Sequence, residues 1–249
     1  MYFQKMCDTL FYRNKNIKKV LVKTMKTSFH EDRWVGLFLS FIGGAMDSYT
    51  YIHYDAFASA QTGNIVLAII QAFDGEWGSV GKKMLSTLFF FLGILLAKFL
   101  IDYFKKKQLH FWRLFVLYFE TLIFFLVSLT FLNHQTSLVT IIIAFTAAIQ
   151  WISFDKINGL TYTNLFTTGN LKGVATNLYD FLVTGTIEAK KKFIHFLLVV
   201  LAFVSGAILS VLLYRLVGAK AILLVSGLFL SLSLSETYLI WRFFRHEQI

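Results

Sequence analysis

Ala60-Gln61-Thr62-Gly63-Asn64-Ile65 and Phe166-Thr167-Thr168-Gly169-Asn170-Leu171 decide how this chain is read. The second stretch repeats the first 106 positions later, and both sit inside otherwise membrane-like sequence. Each sets a hydroxyl, a glycine and an amide side by side ahead of an apolar run. Such residues compete with helix and favour its ends. At membrane depth, irregular backbone is tolerated only inside protein or along a cavity. The two copies therefore divide the chain into halves and mark where a site should lie.

Working outward from the first copy, residues 34–54 form a span-length apolar run in which Gly36, Ser40, Gly44 and Ser48 recur every four residues. That spacing gives one helix face small enough for close approach. Downstream, 64–73 would make about 15 Å of helix, half of a hydrocarbon core of ~30 Å. A re-entrant or broken segment is expected there, and again at 171–183 after the second copy. Full spans are expected near 84–104, 111–132, 137–157, 193–214 and 221–241.

Composition agrees. Hydrophobic residues make up 57% of the 249 and charged residues 15%, with mean hydropathy +0.63, against about 25% charged in a soluble domain. The fold class expected is all-α, a polytopic helical membrane protein, since no alternating ten-residue pattern of a barrel is present. Proline is absent, which leaves helix breaking to glycine, asparagine and threonine. The single Cys7 excludes an intrachain disulfide and a cysteine-based metal cluster. The net charge of +10 clusters at the ends of apolar runs, so topology and anionic lipid account for it better than nucleic acid does.

Residues 1–33 form a basic cytoplasmic segment with eight Lys/Arg and no secretory signal. Ile17, Val20, Leu21 and Met25 share a helical face, so the segment is either a surface-lying basic helix or a solvated tail. If both motif segments dip in and return on one side, most Lys and Arg fall inside, leaving Lys82, Lys83, Arg215 and Lys220 outside. The positive-inside rule then favours six spans plus two re-entrant segments, with both termini cytoplasmic. Repeat 1 covers about 34–104 and repeat 2 about 137–214, with additional spans at 111–132 and 221–241. Phe41-Ile42-Gly43-Gly44 parallels Phe145-Thr146-Ala147-Ala148, and Gly93 with Ala97 parallels Gly206 with Ser210. Opposite orientation of the halves makes this an inverted repeat, an arrangement typical of secondary transporters.

Gly43-Gly44, Asp47, Gln61-Thr62-Gly63-Asn64 and Thr168-Gly169-Asn170-Leu171, in that order, resemble the YoaK-like family of bacterial integral membrane proteins. The likeness covers roughly 34–241. Gln150 is similar to a glutamine that members carry before the second motif; the residue after it is commonly asparagine there and is Trp151 here. The resemblance implies a bacterial plasma-membrane location and a fold, and it supplies no substrate.

The substrate-binding candidates are Gln61, Thr62, Gly63, Asn64, Thr168, Gly169, Asn170 and Gln150. Glycine allows a turn without a Cβ clash, and Thr or Asn can cap the half-helix that follows. A half-helix N-terminus offers free N–H groups and partial positive charge to an anion or polar solute; the plainer alternative is a capped break with no ligand. Asp47 and Glu120 lie within spans, where an ionisable group is costly and points to function. Asp47 is expected to exchange a proton, bind a cation or hydrogen-bond the re-entrant loop. Glu236 and Lys98 lie nearer span ends and are expected to snorkel. The histidines show no metal-ligand spacing, no Walker loop is present, and no cofactor is expected.

Two functions are weighed. The first is a small secondary transporter or permease for a polar or anionic small molecule. The second is a non-transporting membrane scaffold or sensor that uses the basic N-terminal segment. An intramembrane enzyme lacks a visible nucleophile or acid–base pair, so no enzyme is expected. The partners expected are the lipid bilayer and a small polar solute or ion, not nucleic acid, with a homo-oligomer left open.

Overall fold

The computed structural model describes residues 29–107, 109 and 111–246. The basic stretch over residues 1–28, with Cys7 and the surface-lying helix considered for it, lies outside the described residues. The apolar runs become helices in the order expected, and the described chain is all-α apart from one two-residue hairpin. Helix α1 spans Arg33–Tyr54, α2 Gln61–Phe73, α3 Trp77–Lys106 and α4 Trp112–Val127. After a single turn at Thr130–Asn133 comes α5 (Thr136–Ser153), then the hairpin of β1 (Lys156–Ile157) and β2 (Leu160–Thr161). Helices α6 (Thr168–Thr184), α7 (Ile187–Val217) and α8 (Leu223–His246) complete the chain, with a 3-10 turn over Gly218–Ile222 between the last two.

Three helical stretches are long and apolar enough to cross a membrane: Trp77–Lys106, Thr136–Ser153 and Ile187–Arg242. Their outer faces carry bare apolar side chains, among them Leu88, Phe99, Leu212 and Leu216. An apolar surface this continuous would be an aggregation liability in water; in hydrocarbon it costs nothing.

Small residues decide which helices touch. Helix α1 packs on α7 and α5 packs on α3, while the short helices α2 and α6 lie on α3 and α7. Gly206 seats against the Phe41 carbonyl, Gly44 against the Phe203 carbonyl and Gly93 against the Phe145 carbonyl; a Cβ at any of the three would overlap that oxygen. The first helix of each half thus lies on the third helix of the other. Helices α1 and α7 run in the same direction: Phe41 lies on Gly206 near mid-helix, and His53 reaches Tyr214 further along both. Helices α4 and α8, which the sequence set outside the repeats, pair with each other through stacked Phe124 and Phe229 and through Ser226 Oγ donating to the Thr121 carbonyl at 3.0 Å.

Polar networks close both ends. At the Tyr54 end of α1, His53 Nε2 lies 2.7 Å from Asn133 Oδ1, which can only accept, so Nε2 carries a proton. His53 Nδ1 meets the Tyr214 hydroxyl at 2.8 Å. Asn133 Nδ2 donates to Tyr49 Oη, which donates to the Ala219 carbonyl. At the Arg33 end, Arg113 Nε donates to the Ser153 carbonyl at 2.7 Å, and its guanidinium covers the Trp112 ring. Glu236 does not snorkel as expected. It is 3% exposed, packed inside the bundle with Oε1 unpaired among the described residues, and Arg113 lies only within electrostatic range. Lys98 is exposed.

Candidate functional site

The connection between α1 and α2 turns at Asp55, which adopts the left-handed conformation at φ 56°. It then runs back along α1. Ala58 N–H donates to Thr50 Oγ1 at 3.0 Å, and Ser59 N–H donates to Asp47 Oδ1 at 2.8 Å. Helix α2 starts there, two turns short of the end of α1, and returns: Gln71 Nε2 and Lys83 Nζ both donate to Asp55 Oδ2, at 3.2 and 2.6 Å. Descent and return are held by Asn64. Its Oδ1 accepts from the Phe57 N–H and its Nδ2 donates to the Phe57 carbonyl, both at 2.8 Å.

The second motif makes the same clamp. Asn170 Oδ1 accepts from the Thr163 N–H at 3.2 Å and Nδ2 donates to the Thr163 carbonyl at 2.7 Å, again on the residue seven positions upstream. The loop it holds approaches α1 from the other end. Gly36 lies against Ile157 and Tyr162, and Gly43 lies against the backbone of Asn164 and Leu165. The two loops meet where Ser59 Oγ stands 2.9 Å from the Leu165 carbonyl.

These clamps correct the expected role of the motif. Gln61–Asn64 and Thr168–Asn170 lie in the first turns of α2 and α6, and the N-caps Ala60 and Thr167 make no side-chain cap bond. Neither Gly63 nor Gly169 has a positive φ, so neither supplies a turn. The reason is the amide's geometry. It presents a donor and an acceptor in one plane, which satisfies both polar groups of a loop residue that has no strand partner.

Helices α1 and α7 and the two loops border an open cavity of about 370 Å³. Asp47, Ser48, Thr167 and Thr168 give its polar wall, and Tyr51, Phe57, Phe166 and Phe203 its aromatic one. Tyr51 and Phe57 stack at 4.5 Å. Of the predicted residues, Asp47 and Thr168 reach this cavity, and among the described residues no basic side chain lines it. Asn64, Asn170 and Gln61 hold the loops instead; Gln61 Oε1 accepts from Asn64 and Thr87. Thr62 and Gly169 are exposed, and Gly63 rests on the Phe57 ring. Among the described residues, Gln150 is buried on α5 with both amide atoms unpaired, and Glu120 is buried on α4 with both carboxyl oxygens unpaired. Neither lines the cavity.

Sequence reasoning missed Ser59, Lys83, His53 and Asn133. Lys83 resembled an end-of-span charge but is 0% exposed. Partial burial works against the charge on Asp55, and the hydrogen bonds from Lys83 and Gln71 outweigh it, holding the carboxyl below its usual range. A depressed folded value means the stabilisation is complete above the ordinary carboxylate pKa of about 4 and is lost as pH falls through the folded value. Thermal unfolding in detergent should therefore show an acid-side loss, and Lys83→Met should flatten it. Equal acid loss in both proteins would rule the ion pair out as its source.

Bare apolar faces, glycine-seated helix crossings and a buried polar junction define a helical integral membrane protein. The chain belongs to the family described as Protein of unknown function (DUF1275), whose model matches residues 35–235, from the first turn of α1 into α8. No curated protein and no solved structure matches it.

Proposed function

We propose that this chain is a small secondary transporter or permease for a polar solute, with six spans and two broken helices in an inverted repeat. It is multi-pass in a bacterial plasma membrane, with both termini cytoplasmic, and it moves its solute without transforming it. The observation that carries this reading is the junction at the middle of α1. One loop reaches it from the Tyr54 end, the other from the Arg33 end, and both stop at one cavity. Two like halves inserted in opposite senses would produce that arrangement, and alternating access requires a site that either side can reach. The exchange of first and third helices between halves supports the same symmetry. So does the clustering of Lys105, Lys106 and Arg113 towards the Arg33 end, as cytoplasmic residues should be. Helix N-termini alone would favour an anion, but the acidic wall at Asp47 argues for an uncharged or cationic polar solute.

Side-specific labelling tests the arrangement. Gly75 and Gly185 hold φ of 79° and 64°, so cysteine is strained at both, and the exposed neighbours Glu76 and Glu188 are better sites. In a Cys7→Ser background, a membrane-impermeant maleimide should modify Glu76→Cys in intact cells and Glu188→Cys only after permeabilisation. Modification of both from one side would sink the inverted arrangement.

A further inference from the structure

Ser59 Oγ lies 2.7 Å from Asp47 Oδ2 and 2.9 Å from the Leu165 carbonyl oxygen. A hydroxyl has one hydrogen to give. When Asp47 is ionised, both neighbours are acceptors and Ser59 can satisfy only one, leaving the other contact lone pair to lone pair. A proton on Asp47 Oδ2 removes the conflict. The carboxyl O–H then donates to Ser59 Oγ, Ser59 donates to the Leu165 carbonyl, and Ser59 N–H keeps its bond to Oδ1. Every contact in the chain becomes a hydrogen bond.

We propose that Asp47 is the proton-binding group of this protein and that its protonation latches the two motif loops together through Ser59. The inference rests on the transport reading for its purpose, since it makes the proton the coupling ion of that site. Asp47 lines the cavity, so a proton can reach it without the loops first parting. A metal cation fits less well. It needs several oxygen lone pairs around it, and the two Asp47 oxygens instead receive an N–H and an O–H beside an aromatic wall.

Few titratable groups compete with Asp47. Tyr51 of α1 shares the cavity wall; α7 presents Phe203 and Val211 there, and α6 presents Thr168. Asp55 is paired with Lys83 at the Tyr54 end, and Lys220 of the 3-10 turn is exposed. Glu236 of α8 faces Arg113. Protonation of Asp47 is thus read out locally, by Ser59.

The test uses the full chain in lipid nanodiscs, in a Cys7→Ser background with Thr167→Cys, half-buried on the cavity wall. A hydrophilic maleimide is the probe, and the labelling rate is followed from about pH 5 to about pH 9. Asp47→Asn is the reference, because its amide N–H donates to Ser59 Oγ at every pH and keeps the latch closed. Dividing the rate of the protein that retains Asp47 by the rate of the Asp47→Asn reference at each pH cancels the ionisation of the thiol itself. The ratio should be near one in acid and rise about fivefold in alkali, the scale of one net hydrogen bond. Ser59→Ala should label fast at all pH values, with no such rise. A flat ratio, or a rise that survives Ser59→Ala, overturns the latch.

Should Asp47→Asn not fold, infrared difference spectra between acid and alkali replace it. A protonated-carboxyl band that shifts in Ser59→Ala supports the latch, and a band unchanged by that substitution overturns it. Neither measurement needs a substrate, so a failed latch leaves the transport reading to its own labelling test.

Discussion

Asn64→Ala is expected to lower stability by about 2–4 kcal/mol, because it strands a backbone N–H and carbonyl at Phe57 as well as deleting a side chain. Asn64 also donates to Gln61 Oε1 at 2.9 Å and approaches Ser86 Oγ at 3.4 Å. Among the described residues Asn170 makes only the two bonds of its clamp. Asn170→Ala should therefore cost less, and the order of the two effects is the sharper test. Asn64→Asp keeps an acceptor for the Phe57 N–H but turns oxygen towards the Phe57 carbonyl, so it should do no better than alanine. Thermal unfolding of the purified protein in one detergent would read all three. A neutral Asn64→Ala would mean that the loop finds water, and the clamp would then be incidental.

Gly206→Ala should be as damaging, by about 3 kcal/mol, although it adds one methyl group and favours helix. The new Cβ would overlap the Phe41 carbonyl, which is backbone and cannot swing aside, so α1 and α7 must separate. Gly227 is the control: among the described residues nothing lies within 4 Å of a Cβ there. Gly227→Ala should be neutral or gain up to ~1 kcal/mol from helix propensity. If both glycines tolerate alanine equally, close packing is not what holds the first helix of one half to the third helix of the other.

Much of this was legible in the sequence for a specific reason. Gly93 and Gly206, like the small pairs Gly43-Gly44 and Ala147-Ala148, sit where a carbonyl or a neighbouring helix must come close, and only small side chains permit it. The Thr-Gly-Asn repeat located the junction but not its mechanism, because each asparagine acts on backbone seven residues upstream, and a backbone partner leaves no residue signature. Ser59 is a single polar residue outside both motif copies; its partners are Asp47, twelve positions back, and Leu165 in the other half. Lys83 is the plainest miss. Charge counting treats a lysine at a span end as solvated, whereas here Asp55 draws it wholly inside.

The exchange of helices between halves has a consequence for how this chain can be made. A nascent first half has no partner for its own seam: Gly44 waits for Phe203, and Gly93 waits for Phe145. Neither half is a domain in the folding sense, and the interlock closes only after residue 206 has entered the membrane. A backbone cut between Leu129 and Gln135 should leave two fragments that remain associated, whereas either fragment expressed alone should be a substrate for proteolysis.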